Sequence, residues 1–230
     1  QHPIASPRQG VQITLSSSGR RANIGNQLHD LGKWASMTKQ TKKRRILVAI
    51  TGASGAIYGV RLLEMLRGSS NIEVHLTLSK AGRLTLGAEC SREASELEAM
   101  ADVVHSAANV GAAPASGSFR LDCMIIVPCS IKTASNIAYG NTADLISRAA
   151  DVMLKERRNL VLAVRETPLH WGHLETLARL AKLGAVIFPP LPGFYHNPET
   201  IDEIVDQSCM RMLDQLGIDV EAAPRWGEAD

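Results

Sequence analysis

The chain has 230 residues, of which 45% are hydrophobic and 21% are charged, and its mean hydropathy is −0.03. These values are typical of a globular domain with a sizeable core, and they exclude collagen-like, coiled-coil and wholly disordered chains. No apolar run approaches the roughly 18 residues that a membrane span needs, so we predict no transmembrane segment. The four cysteines form no CxxC pair and have no regular histidine spacing. The sequence therefore predicts neither a metal site nor a disulfide framework.

Residues 1–44 differ in composition from the rest of the chain. They hold eight Lys and Arg but only one acidic residue, whereas the remainder holds 17 basic and 22 acidic residues. The segment lacks apolar periodicity and is rich in Ser, Arg, Gly and Gln, so we predict a disordered basic leader. Its composition resembles an organelle transit peptide and predicts mitochondrial import; a solvated tail on a cytoplasmic protein is the alternative. The acidic remainder argues against nucleic acid as a partner.

From residue 45 onward, predicted strands and helices alternate. The short apolar run ILVAIT (residues 46–51) predicts a strand, GASGAIYG predicts a glycine-rich turn and VRLLEMLRG predicts a helix. Further strands are predicted over residues 74–79, 123–128, 160–164 and 185–188, and further helices over residues 80–100, 142–157, 169–182 and 199–216. Continuous apolar strands bounded by helices indicate a parallel sheet covered on both faces. The sequence therefore predicts an α/β fold, with one doubly wound Rossmann-like domain over residues 45–230.

Glycine and hydroxyl groups follow three of the predicted strands. TGASG (residues 51–55) follows the first, Ser79 ends the second, and PCSIKT (residues 128–133) ends the third and continues beyond it. At the carboxyl edge of an open parallel sheet, backbone N–H groups at helix N-termini favour a phosphate. TGASG is not a GxGxxG motif, and no acidic residue suited to a ribose hydroxyl ends the second strand, so the pattern favours FMN over NAD. Alternatively, the glycines only make tight turns and the serines only cap helices.

Two cations on the helix over 142–157 are candidates for a phosphate site. Arg148 and Lys155 are seven residues apart and therefore share one face of the helix. Two cations that face a crevice would hold a phosphate. The alternative is a solvated face, because Asp144 precedes Arg148 by four residues and Asp151 precedes Lys155 by four.

Charged and phenolic groups near the later strands are candidates for catalysis. Arg165 and Glu166 follow the strand over 160–164 directly, where a charged pair is poor core material. Glu166 could act as an acid or base, or could only pair with Arg165. Tyr195, in the loop PGFYHNP, offers a phenol donor, or else packs over the edge of the core. The chain contains neither GxSxG nor HExxH, so hydrolase templates gain no support.

Six strings taken together resemble the UbiX-type flavin prenyltransferase family, formerly labelled phenylacrylic acid decarboxylases. They are ITGASGAIYGVRLLE, PASGS, PCSIKT, SRAADVMLKERRNLVLAVRETPLH, GAVIFPPLPGFYH and PRWGE. The resemblance runs from about residue 45 to the C-terminus, and the leader indicates a eukaryotic mitochondrial member. It implies an FMN-binding subunit of a dodecamer that transfers the dimethylallyl group of dimethylallyl monophosphate to N5 and then C6 of reduced FMN, without a metal. It also implies that the prenylated FMN serves a partner decarboxylase.

The resemblance also implies roles for individual residues. The implied flavin contacts are Gly52, Ala53, Ser54, Ser79, Ser130, Ile131, Lys132, Thr133 and Arg165. The implied prenyl-phosphate contacts, several from neighbouring subunits, are Arg148, Lys155, Glu166, Tyr195 and Arg211. Glu89 would lie beside the flavin ring and assist proton removal with Ser54, while Glu166 would act as acid or base. Arg211 lies at the edge of the apolar stripe of the last helix, where we expect its charge to need a partner such as a phosphate.

Two other functions remain open at this point. Flavin-dependent cysteine decarboxylases share the fold, but they use a histidine after the first helix region and a PASANT-like segment. Here the segment reads PASGS, and the helix VRLLEM has no histidine. A non-catalytic flavin carrier would keep the fold and lose the phosphate-binding cluster, yet every residue of that cluster is present.

Overall fold

A computed structural model describes residues 43–220. The PRWGE string and the expected leader, apart from its last two residues, lie outside these residues. The first strand begins at Arg44, one residue before the expected start of the domain. Its guanidinium donates hydrogen bonds to the backbone oxygens of Leu216 and of Gly217, the latter at 2.6 Å. Arg44 is therefore part of the folded domain.

Within the described residues, six strands form one parallel sheet; the sequence predicts the parallel sheet and five of these strands. They are β1 (Arg44–Ile50), β2 (Ile72–Leu78), β3 (Val103–Ser106), β4 (Cys123–Cys129), β5 (Asn159–Val164) and β6 (Val186–Ile187). Their order in the sheet is β3-β2-β1-β4-β5-β6, and all pairs are parallel. The chain leaves β1 in one direction and returns to its other side at β4. The topological switch point, where open α/β sheets bind ligands, therefore lies between β1 and β4.

Helices cover both faces of the sheet. They are α1 (Ala56–Leu66), α2 (Lys80–Cys90), α3 (Ala94–Glu98), α4 (Ile131–Ala138), α5 (Leu145–Lys155), α6 (Trp171–Leu183) and α7 (Ile201–Gln215). Alternate residues of β1 point to opposite faces, as strand geometry requires: Ile46 and Val48 join one core, and Leu47 and Ala49 the other. Buried residues of α1, α2, α3 and α7 belong to the first core, and those of α4, α5 and α6 belong to the second. Thus α5 and α7 lie on opposite faces.

The structure differs from the prediction in one predicted helix and in two elements that were not predicted. The helix expected over 80–100 is two helices, because Ser91 adopts a left-handed conformation with φ of 50° and a capping box of Glu93 and Glu96 starts α3. The edge strand β3 was not predicted, since three of its four residues are exposed and show no alternation. The helix α4 was also not predicted, because its eight residues are mostly small or polar.

Candidate active site

The ends of β1 and β4 are tied together at the switch point by one threonine. The Thr51 hydroxyl donates a hydrogen bond to the backbone oxygen of Pro128 at 2.7 Å and accepts one from the Ser130 N–H at 2.8 Å. The residue is only 1% exposed, so these bonds have no competition from water. The TGASG and PCSIKT turns are therefore held side by side.

Between these turns lies a cavity of about 760 Å³. Five of the predicted flavin contacts line it, namely Gly52, Ser79, Ser130, Lys132 and Thr133. Two helices begin at its wall. Ser79 caps α2 by accepting the Gly82 N–H at 2.9 Å, and Ser130 caps α4 by accepting the Thr133 N–H at 3.3 Å. The positive ends of two helix dipoles and a lysine suit the phosphate of FMN.

The first turn passes so close to α2 that it requires glycine. A Cβ on Gly52 would lie 2.4 Å from the Cβ of Ala81, which no side chain can tolerate. Gly55, the residue before α1, has φ of 103°, a conformation that favours glycine. Both glycines of TGASG are thus needed for the shape of this turn and its close approach to α2, and not only to reverse the chain.

Glu89 holds the start of α1 from across the fold. Its carboxylate accepts hydrogen bonds from the N–H groups of Gly55 and Ala56 at 2.8 and 2.9 Å. It thus serves as the N-cap acceptor of α1, because the N-cap residue Gly55 has no side chain. Partial burial raises the pKa of Glu89, but hydrogen bonds from Ser54 and from the two N–H groups, together with the charge of Arg165, lower it below its ordinary value. The structure therefore brings Ser54, Glu89 and Arg165 together around an ionised carboxylate.

The remaining predicted flavin residues lie near the cavity without lining it. Ala53 is buried in the turn after β1. Ile131 is the first residue of α4 and packs against the core on that face. Arg165 follows β5, and its N–H donates to the Cys129 backbone oxygen at 3.1 Å, which places it beside the end of β4. All three follow the ends of β1, β4 or β5.

The cations of α5 contact the segment that contains PASGS, and their partners differ from those expected. Arg148 Nε donates to the Ala115 backbone oxygen at 3.2 Å, and its Nη1 pairs with Asp151 at 2.8 Å. Lys155 pairs with Glu156. The expected pairs at a spacing of four residues do not form, because the Asp144 carboxylate caps α5 through the Ser147 N–H at 2.8 Å.

The other three prenyl-phosphate candidates lie after β5 or near α7. Glu166 accepts the Thr167 N–H at 3.1 Å, and no ion pair joins it to Arg165 within residues 43–220. Tyr195 is 46% exposed, and its hydroxyl accepts a hydrogen bond from Gln207 on α7. Arg211 Nε lies 3.8 Å from the Asp214 carboxylate, so its charge already has a partner within the helix.

These candidates do not converge within a single chain. Lys155 ends α5 just before β5 begins, at the amino edge of the sheet, whereas Glu166 follows β5 at the carboxyl edge. The six residues of β5 span roughly 20 Å. Arg148 and Lys155 also lie on α5, and Arg211 on α7, on the opposite face of the sheet.

Sequence reasoning missed three polar residues that line the cavity, namely Lys80, Asn136 and Asp144. Lys80 follows the Ser79 cap directly, so its position could have been inferred from the strand end. Asn136 lies one turn after Lys132 on α4, a helix that was not predicted. Asp144 and Ser147 have the spacing of a capping box. Asp144 also has the four-residue spacing of an ion pair with Arg148, and that spacing obscured the cap.

The structure shows neither a metal centre nor a membrane span in the part of the chain that it describes. No group of three or more His, Cys, Asp and Glu side chains between residues 43 and 220 could hold a metal ion. Within the same residues, no helix has the length and apolar character needed to cross a bilayer.

Comparison with known proteins identifies the family. The family model for flavoproteins matches residues 35–213. The flavin prenyltransferase UbiX of Escherichia coli (strain K12) is 51% identical over 185 residues, which are 80% of this chain and 98% of the relative.

Two solved structures are also similar. AnUbiX (PadA1) in complex with FMN and dimethylallyl pyrophosphate has a TM-score of 0.80 and 48% identity, over 82% of this chain and 100% of that one. The dodecameric FMN-dependent UbiX-like decarboxylase of Escherichia coli O157:H7 has a TM-score of 0.78 and 46% identity, over 79% of this chain and 98% of that one. The chain belongs to the UbiX-type flavin prenyltransferase family of flavoproteins.

Proposed function

We propose that this chain is a metal-independent flavin prenyltransferase that joins the dimethylallyl group of dimethylallyl monophosphate to reduced FMN. The main support is the cavity at the switch point, which two helix N-termini and Lys132 equip for a phosphate. Reduced FMN, when bound, supplies the N5 and C6 atoms to which the prenyl group becomes attached. The cysteine decarboxylase alternative is not favoured, because identity to flavin prenyltransferases is about one half over most of the chain.

In this proposal the residues around Glu89 serve the flavin ring. Glu89 is ionised, because hydrogen bonds from Ser54, Gly55 and Ala56 and the charge of Arg165 lower its pKa. As a carboxylate it can accept a proton during ring closure through the Ser54 hydroxyl, and it also fixes the turn against which the ring lies.

The prenyl-phosphate site is proposed to form between copies of the chain. Arg148, Lys155 and Arg211 would stabilise the departing phosphate, Tyr195 would donate to it, and Glu166 would act as acid or base. Since one chain places Lys155 and Glu166 at opposite edges of its sheet, neighbouring copies must supply some of these groups. The Escherichia coli relative is dodecameric, and we propose the same assembly here.

Mixing inactive variants tests this shared site. We expect Lys155→Ala and Glu166→Gln each to abolish most prenyl transfer. Activity should return when the two variants are dissociated together and reassembled, because some sites then receive both native residues. Arg148→Ala mixed with Lys155→Ala is the matched control, since both residues share one face of α5, so that one copy supplies both and no mixed site is intact. No recovery in the first mixture, or recovery in the control, would contradict the proposal.

We further propose that the product serves a separate decarboxylase. A decarboxylase acting on a phenylacrylic acid would need an apolar pocket with one carboxylate clamp, whereas three cations, a tyrosine and a glutamate suit a phosphate dianion. The protein should therefore release no carbon dioxide from cinnamic acid, and its filtered product should activate an apo-decarboxylase. A non-catalytic flavin carrier would also release no carbon dioxide, but it would release unmodified FMN, and its filtrate would not activate the apo-decarboxylase.

The basic leader is proposed to direct import into mitochondria. Its support is compositional: eight Lys and Arg against one acidic residue in residues 1–44. A reporter fused to residues 1–44 should accumulate in mitochondria. A reporter that stays in the cytosol would contradict this assignment and favour the cytoplasmic alternative.

A further inference from the structure

A glutamine outside every motif considered above contacts the prenyl-phosphate candidate Tyr195. Gln207 lies on α7 and is only 5% exposed. Its Nε2 donates a hydrogen bond to the Tyr195 hydroxyl oxygen at 2.6 Å. A buried amide is costly unless it is hydrogen-bonded, so this contact fixes the position of the phenol relative to α7.

The loop around Tyr195 is packed against the same glutamine. A Cβ on Gly193 would lie 3.1 Å from Cε1 of Tyr195 and 3.5 Å from Nε2 of Gln207, so the backbone itself approaches the pair closely. The ring of His196 meets the Tyr195 ring edge to face, with centroids 5.4 Å apart. The phenol ring is therefore held on several sides, and Gln207 contacts its hydroxyl.

The direction of this hydrogen bond affects what the phenol can do. Because Gln207 donates, the phenol oxygen is the acceptor of this hydrogen bond, and a phenol that accepts one hydrogen bond can also donate one. A hydroxyl that accepts a hydrogen bond becomes a stronger donor through cooperative polarisation. Gln207 also precedes Arg211 by four residues on α7, so one helix sets the positions of a phenol and a guanidinium.

We infer that Gln207 is a positioning residue for the prenyl-phosphate site and acts through the Tyr195 hydroxyl. The inference rests on the proposed function, because the phosphate monoester of an allylic alcohol is the ligand that this hydroxyl would contact. Gln207 is not among the predicted flavin contacts. Its removal should therefore weaken donor binding without changing FMN binding.

Binding measured without turnover tests the inference. The protein is loaded with oxidised FMN, and the dissociation constant of dimethylallyl monophosphate is measured by calorimetry. Gln207→Met should raise this constant by about fivefold, the effect of losing one hydrogen bond. Gln207→Glu should raise it by about tenfold or more, because a carboxylate can only accept from the phenol and also repels the phosphate.

A double-mutant cycle separates positioning from packing. In a Tyr195→Phe background, Gln207→Met should cause no further weakening, because the hydroxyl through which it acts is gone. Gln215→Met, at the end of the same helix, is the matched control and should change nothing. Affinity for FMN and the melting temperature report on the fold of every variant.

The outcomes distinguish a failure of the Gln207 inference from a failure of the proposed prenyltransferase function. Equal weakening by Gln207→Met in both backgrounds, or no weakening in either, overturns the inference. Wild-type protein that binds the donor but never modifies reduced FMN overturns the proposed function and leaves the binding cycle interpretable. Wild-type protein that fails to bind the donor overturns both.

Discussion

Replacing Glu89 by glutamine should destabilise the protein in a pH-dependent way. The carboxylate accepts two N–H groups at the start of α1, at 2.8 and 2.9 Å, and its pKa is lowered by them, by Ser54 and by Arg165. The amide oxygen of glutamine can still accept a hydrogen bond from the helix. The substitution therefore removes the charge and the extra strength that the charge gives to each bond.

The size of the effect follows from these contacts. Hydrogen bonds to a charged group contribute about 1.5–3 kcal/mol, and a neutral one about 1 kcal/mol. The favourable position at a helix N-terminus adds about 0.3–1 kcal/mol. Because Glu89 is an exposed residue, solvent screens much of this gain, and we expect a net loss of about 1 kcal/mol at neutral pH. For a domain of this size that lowers the melting temperature by about 2–4 °C.

The sign of the pH dependence is fixed by the direction of the pKa shift. The pKa of Glu89 is lower in the folded state than its ordinary value of 4.5, so its stabilisation is present above that value. It is lost as the pH falls through the folded pKa. Wild type should therefore lose its advantage over Glu89→Gln as the pH is lowered, and the two melting temperatures should converge.

Thermal unfolding followed by circular dichroism, from neutral pH down to about pH 3, measures this convergence. Glu175→Gln, which removes an exposed carboxylate from α6, is the control for net charge. A difference between wild type and Glu89→Gln that is absent at neutral pH, or that stays constant down to the lowest pH, would refute the reasoning. So would an equal effect of Glu175→Gln.

Three other substitutions or truncations give clear expectations. Glu166→Gln should lower prenyl transfer by about 100-fold while FMN stays bound, and unchanged turnover would remove Glu166 from the mechanism. Gly52→Val should abolish FMN binding, because even a Cβ there would lie 2.4 Å from Ala81; a variant that folds and binds FMN normally by fluorescence titration would contradict the close approach. Removing residues 1–42, which retains Arg44 in β1, should leave FMN binding and turnover intact. Loss of soluble assembly after that truncation would show that the leader has a structural role.

Much of the candidate flavin site could be predicted because strand ends are visible in the sequence. Buried parallel strands give continuous apolar runs, and the polar residues that follow them must meet at one edge of the sheet. Thus Gly52, Ser79 and Ser130 were correctly predicted to share a cavity. Short elements were missed where this signal fades, as in the exposed edge strand β3 and the polar helix α4.

Contacts between distant segments could not be predicted from spacing. Glu89 reaches Gly55 over 34 residues of sequence, and only the family resemblance pointed to a role for it. The Asp144–Arg148 ion pair, which the spacing offered as an alternative to a phosphate site, does not form for a related reason: Asp144 is the N-cap of α5 and accepts a backbone N–H. Gln207 escaped notice because a buried glutamine on an amphipathic helix looks like an interruption of the apolar stripe.

The most direct test of the account is the mass of the flavin that the protein releases. Purified protein is incubated under anaerobic conditions with reduced FMN and dimethylallyl monophosphate, and the filtrate is analysed by liquid chromatography and mass spectrometry. We expect a flavin that carries one dimethylallyl unit, formed without added metal, and release of inorganic phosphate in equal amount. Recovery of unmodified FMN alone, from protein that has bound both ligands, would contradict the central claim.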